Sequence, residues 1–137
     1  MTTTASLEDL NRRLAAGEHR PVPMARFRPN IVLGGTRPFA EHYHQHLVGS
    51  GVTLWLCKPC QRCRVTTVDQ CSGDIVEAGE PLDTLLGYHH TDRAGAFFGE
   101  NAVVLEGSGC QLRVGDRIEL TAPRESGVGL DTCATSG

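Results

Sequence analysis

The turn Gly49-Ser50-Gly51 constrains this chain most. It separates Leu47-Val48 from Val52-Thr53-Leu54-Trp55-Leu56 and reads as a β-hairpin, with Val52, Leu54 and Leu56 on one face of the second arm. That arm runs directly into Cys57-Lys-Pro-Cys60-Gln-Arg-Cys63, where half of the six cysteines stand in a C-x2-C-x2-C pattern. The β-branched run Val65-Thr66-Thr67-Val68 follows and predicts another strand. A cysteine cluster between two strands is therefore the expected centre of the fold.

Leu7, Leu10 and Leu14 share a helical face and predict a helix over residues 6–15, capped by Ser6 with Asp9 in the box position and stopped at Gly17. Pro21 and Pro23 mark a loop, and Ile31-Val32-Leu33 is a short strand ended by Gly34-Gly35. Pro81 is expected at the first position of a short helix over residues 82–86. Phe97 to Asn101 reads as packing and a turn before a strand over residues 102–105, and Gly115-Asp116 as the turn before a last strand over 117–120. Many short strands with two short helices predict an α+β or mainly β domain around a small barrel or curled sheet. The Gly- and Ser/Thr-rich tail from Ser126 is expected to be disordered.

At 137 residues the chain is one domain with an ordinary core. A net charge of −3 gives no electrostatic case for nucleic acid or an anionic membrane. No apolar run approaches the roughly 20 residues of a membrane span. The N-terminal stretch lacks the charged and apolar regions of a secretory signal, so a cytoplasmic, reducing setting is expected. There, clustered cysteines serve as ligands or reactive thiols more often than as disulfides.

Several constellations have chemistry in reach. The triplet Cys57, Cys60 and Cys63, with Cys71, has the opening of an iron–sulfur or zinc motif but lacks a second knuckle, and buried small cysteines fit the spacing equally well. Arg62 beside Cys63 favours negative charge on that sulfur. Arg26-Phe-Arg28-Pro-Asn30 sets two guanidinium groups and an amide in a bend, with Pro29 expected to hold Arg28 extended. Such a loop suits an anion such as phosphate, or is simply solvated. His42, His44 and His46 alternate, as a chelating strand face would, but read better as a polar surface, as does His89-His90.

Taken in order, these segments resemble the MOSC domain family, in particular the branch of the mitochondrial amidoxime reducing component and its bacterial relatives. The resemblance rests on Leu7-Glu-Asp-Leu-Asn11-Arg-Arg-Leu14, Arg26-Phe-Arg28-Pro-Asn30-Ile-Val, Gly34 to Glu41, Lys58-Pro-Cys60-Gln-Arg-Cys63-Arg-Val-Thr66-Thr67-Val-Asp69, Glu80-Pro-Leu-Asp-Thr84-Leu, Phe98-Gly-Glu-Asn101 and Leu112-Arg-Val-Gly115-Asp116. It implies a MOSC-like curled β-barrel over residues 1–122, without the family's N-terminal β-barrel subdomain, and a tail over 123–137. It implies the molybdenum cofactor (molybdopterin), with Cys63 as the catalytic molybdenum ligand. Arg28, Asn30, Arg62, Thr66 and Thr67 are implied as cofactor contacts and Cys60 as a neighbour of the metal ligand. The implied activity is reduction of N-hydroxylated substrates, with electrons from a separate haem or iron–sulfur protein. A homodimer or partner chain would stand in for the absent subdomain. The resemblance also leaves a second reading: a non-catalytic module carrying persulfide sulfur for a partner.

Overall fold

The computed structural model describes residues 1–88, 91 and 93–124. His89-His90 and the tail from Ser126 lie outside them. The elements run β1 (Thr2–Thr3), α1 (Thr4–Ala16), a 3₁₀ turn (Met24–Phe27), β2 (Val32–Leu33), a 3₁₀ turn (Ala40–Tyr43), β3 (His44–Gly49), β4 (Val52–Gln61), a 3₁₀ turn (Arg64–Thr67), α2 (Leu82–Leu86), β5 (Phe97–Glu106) and β6 (Glu119–Pro123). The architecture is α+β, and the main sheet is antiparallel with strand order β5-β4-β3-β6. No pairing between β5 and β6 closes it into a barrel among the described residues.

The hairpin forms as its sequence dictates. Gly49 pairs with Val52, leaving Ser50 and Gly51 as a two-residue loop. Both have positive φ, 51° and 77°, which is the backbone of the turn whose twist matches its flanking strands. Val52, Leu54 and Leu56 are buried with Leu47 in one apolar cluster. A second cluster joins Leu10 and Leu14 of α1 to Val22, Phe27, Phe39, Leu85, Ala96 and Phe98. The sheet is thus faced by one core and flanked by another, and the cysteine-bearing end of β4 lies beside the second.

Several expectations give way to local chemistry. Residues 65–68 do not form a strand: Arg64–Thr67 is a 3₁₀ turn. The hydroxyls of Thr66 and Thr67 donate to the carbonyls of Cys63 (2.9 Å) and Arg64 (2.6 Å), three residues back. That local bonding outweighs the extended preference of β-branched residues. Helix α1 begins earlier than expected, with Thr3 rather than Ser6 as the cap. Thr3 Oγ1 accepts the Ser6 N–H at 3.1 Å, while the Ser6 hydroxyl turns inward to the Glu41 carboxylate at 3.0 Å. Pro81 is the residue before α2 rather than its first.

Strand β5 starts at Phe97, not Ala102. Burial of Phe97 and Phe98 draws the supposed turn into the sheet. Gly99 makes the continuation possible: its φ is +80°, and a Cβ there would lie 2.6 Å from the Met1 carbonyl oxygen. The last strand falls at Glu119–Pro123 instead of residues 117–120. His42, expected at the surface, is buried in a 3₁₀ turn with Nδ1 2.7 Å from Glu100 Oε1.

Candidate functional site

Arg62 organises the end of β4. Its N–H bonds the Ala96 carbonyl at 2.8 Å. Its side chain donates from Nε to the Phe98 carbonyl and from Nη1 to the Phe27 carbonyl, each at 2.9 Å. The guanidinium also lies 5.4 Å from the centroid of the Phe27 ring. One side chain therefore joins β4, β5 and the turn Met24–Phe27. No carboxylate pairs with Arg62 among the described residues. Its pKa is lowered by burial, against which the neighbouring sulfurs of Cys60 and Cys63 act.

Cys63 follows at once. It is exposed, extended at φ −120° and ψ −176°, and stands at the start of the turn Arg64–Thr67. Its carbonyl accepts both the N–H (3.1 Å) and the hydroxyl (2.9 Å) of Thr66, which fixes the backbone behind the thiol. Cys57 is buried in β4 and its Sγ donates to the Asn101 carbonyl at 3.3 Å. Cys71 is exposed on a different turn. Among the described residues, no three His, Cys, Asp or Glu side chains gather as a metal site. Neither Cys57, Cys60, Cys63 and Cys71 nor His42, His44 and His46 are gathered there as a metal-holding group.

Across from Cys63 lies the bend after Phe27. Arg28 is not extended but left-handed, at φ 47° and ψ 49°. It ends the 3₁₀ turn with its N–H on the Ala25 carbonyl at 3.2 Å. That turn-closing bond holds Arg28 left-handed against the extended preference that Pro29 imposes on the residue before it. Such a conformation is costly for a residue with a Cβ and is typical of positions that present a side chain. Arg28 is exposed and pairs with no carboxylate among the described residues.

Arg28, Arg62, Cys63 and Thr66 line one cleft of about 390 Å³, together with Arg26, Phe27, Gln61 and Val65. Asn30 is exposed and is not part of this lining, and neither is Thr67, which lines a neighbouring cleft that shares Val65. The sequence places Arg26 in a candidate anion-binding bend, although the family resemblance does not count it among the cofactor contacts. Its side chain is only 5% exposed, with Nη1 3.3 Å from the Thr66 carbonyl and Nη2 3.9 Å from Asp69 Oδ2. Its Nε is buried with no hydrogen-bond partner among the described residues. The Arg-x-Arg spacing before Pro29 is the signal that marks it in the sequence. Asp69 is itself held below the ordinary carboxylate range by the N–H groups of Ser72 and Cys71 and, more weakly, by Arg26.

The electrostatic character follows. The lining holds three guanidinium groups and no carboxylate. A partly buried site of this kind attracts an oxyanion, and planar guanidinium donors suit phosphate. A soft thiol at the same site suits a thiophilic transition metal.

The MOSC domain profile matches residues 1–119. The chain is 39% identical over 122 residues to mitochondrial amidoxime-reducing component 1 of Mus musculus, covering 85% of this chain and 34% of that protein. It is 40% identical over 92 residues to mitochondrial amidoxime reducing component 2 of Rattus norvegicus, covering 67% of this chain and 26% of that protein. It is 35% identical over 88 residues to molybdenum cofactor sulfurase of Oryza sativa subsp. japonica, covering 61% of this chain and 11% of that protein. The chain thus spans about a third of the length of the mouse relative (34%). No helix of the described residues is long and apolar enough to cross a membrane.

Proposed function

This chain belongs to the MOSC domain family, and from that premise we propose that it binds the molybdenum cofactor in the Arg28–Cys63 cleft and reduces N–O bonds of N-hydroxylated substrates. One observation carries the reading: a single exposed thiol shares a cleft with three arginines drawn from two distant segments. That donor set fits the group, since thiolate is a molybdenum ligand type and guanidinium a phosphate clamp. The orphaned Nε of buried Arg26 points the same way, because a buried cation short of partners favours a nearby anion.

In this reading Cys63 Sγ holds the metal. Arg28 and Arg62 hold the cofactor's anionic groups, with Thr66 as a further contact, while Asn30 and Thr67 stand outside the cleft lining. The bound cofactor supplies a two-electron redox centre. Two electrons and two protons convert the N–OH group to N–H, and the oxygen leaves as water. The electrons come from a separate haem or iron–sulfur protein, in keeping with a soluble cytoplasmic setting. The catalytic unit is residues 1–122. The exposed Val103, Val104 and Leu105 of edge strand β5 support a second copy or a partner chain beside it.

Persulfide transport is the second reading, favoured by the exposure of Cys63 and the likeness to a sulfurase. Elemental analysis after expression in a cofactor-producing host separates the two. The reductase reading expects about one molybdenum per chain, lost in Cys63→Ala. A sulfur adduct on Cys63 without molybdenum would establish the carrier instead.

A further inference from the structure

A second cleft, of about 500 Å³, adjoins the first, and Val65 lines both. Its walls are Val65, Val68, Ile75, Ala78 and Leu82. Val65 is 50% and Ile75 62% exposed, so these apolar groups are open to a ligand. The wall is a built surface: Val68 bridges to Ile75, and the Asp69 carboxylate ties the intervening turn through the N–H groups of Cys71 and Ser72, each at 2.9 Å. Gly79 also lines the cleft; its φ of +81° favours glycine, and the Asp83 carboxylate packs against its Cα.

The two clefts differ in charge. The Cys63 cleft has three arginines and no acid. The second has one arginine, Arg64, and one acid, Asp83, so its formal charges balance, and the rest of its lining is aliphatic apart from Thr67 and Gly79. One attracts an anion, and the other an uncharged apolar body of ordinary small-molecule size. We infer that the Val65–Ile75–Leu82 cleft takes the apolar body of the substrate, an uncharged aryl or branched-alkyl group, while its N–O head lies beside Cys63. The position of the head rests on the reductase reading. The preference of the second cleft rests on its own lining.

The test is titration of benzamidoxime into the full chain, purified without cofactor and methyl-labelled at isoleucine. The Ile75 methyls shift and saturate, while those of Ile31 and Ile118 stay in place. Ile75→Asp, at an exposed position that leaves the unfolding midpoint intact, abolishes ligand-detected saturation transfer. In cofactor-loaded enzyme the same change lowers the preference for benzamidoxime over hydroxylamine, as a ratio of kcat/KM, about tenfold. Unmoved Ile75 methyls, equal movement of all three isoleucines, an equal loss for both substrates, or ligand-free shifts that grow with protein concentration would each overturn the inference. Ile75 shifts in a chain that never carries molybdenum would retain the cleft and refute the reductase. Turnover indifferent to Ile75→Asp would do the reverse.

Discussion

The rings of Phe27 and Phe98 stack with centroids 4.0 Å apart and planes 23° from parallel. Arg62 spans the pair, bonding the carbonyl of each. The next residue after Phe27 is Arg28 and the next after Arg62 is Cys63. The distance between the candidate anion clamp and the candidate metal ligand is thus set by an aromatic stack and one guanidinium. The site is only as rigid as this joint.

Phe98→Ala is expected to cost about 3–5 kcal/mol, the range for deleting a fully buried aromatic ring. Phe98 is 0% exposed, and Leu10, Leu14 and Phe39 share its cluster. Denaturant unfolding reads the loss as a lower midpoint at unchanged slope. A loss under about 1 kcal/mol would mean that the cluster collapses into the space and that the stack does not hold the bend.

Arg62→Met keeps the volume and removes both donors. The carbonyls of Phe27 and Phe98 lose charge-assisted bonds of about 1.5–3 kcal/mol each, partly recovered by water at this half-buried position, so a net loss of about 2–3 kcal/mol is expected. Arg62→Lys restores at most one of the two bonds, because a single ammonium cannot reproduce the guanidinium fork. The order of urea midpoints is expected to be wild type, Lys, Met. Met equal to wild type would show that Arg62 acts on ligand alone.

How much of this was legible in the chain depends on range. The hairpin and the buried face of β4 follow from Gly-Ser-Gly and strict alternation, both local signals. The turn Arg64–Thr67 does not, because Val65-Thr66-Thr67-Val68 has strand composition and only the hydroxyl bonds to Cys63 and Arg64 reverse it. Phe97 and Phe98 were misplaced for a different reason: their burial depends on Phe27, some seventy residues away, which no local window contains. In the site, Cys63 and Arg28 stood out through neighbours in sequence. Arg26 gains its place from contacts with Thr66 and Asp69 across the fold.

His19 and Glu77 give the stability a defined pH window. His19 Nδ1 meets Glu77 Oε1, and His19 Nε2 lies 3.3 Å from Glu80 Oε1. The hydrogen bond to Glu77 raises the His19 pKa above 6.5, and the same bond lowers Glu77 below 4.5. The His19 contribution is complete below its unfolded value and is lost as pH rises through the raised folded one. The Glu77 contribution is complete above its unfolded value and is lost as pH falls through the lowered folded one. The pair therefore stabilises between those limits. Proton NMR should find His19 titrating above the ordinary histidine range, and Glu77→Gln should lower its midpoint. A His19 midpoint unmoved by Glu77→Gln would remove the pair from the account.

Arg26 separates a fold role from a ligand role. Its Nε has no hydrogen-bond partner among the described residues, its contact to Asp69 is long at 3.9 Å, and it shares the cleft with two further cations. A buried charge so poorly compensated can be replaced by an apolar side chain of similar size with little loss or some gain. Without ligand, Arg26→Met is expected to melt within a few degrees of wild type. With pyrophosphate the two part company. Wild type gains stability as the logarithm of ligand over dissociation constant, about 2.7 kcal/mol at a hundredfold excess over it. Arg26→Met gains far less, and sodium chloride at equal ionic strength reproduces neither shift. Equal pyrophosphate shifts in both proteins would place the anion on Arg28 and Arg62 alone, and a large ligand-free loss in Arg26→Met would make Arg26 a scaffold residue.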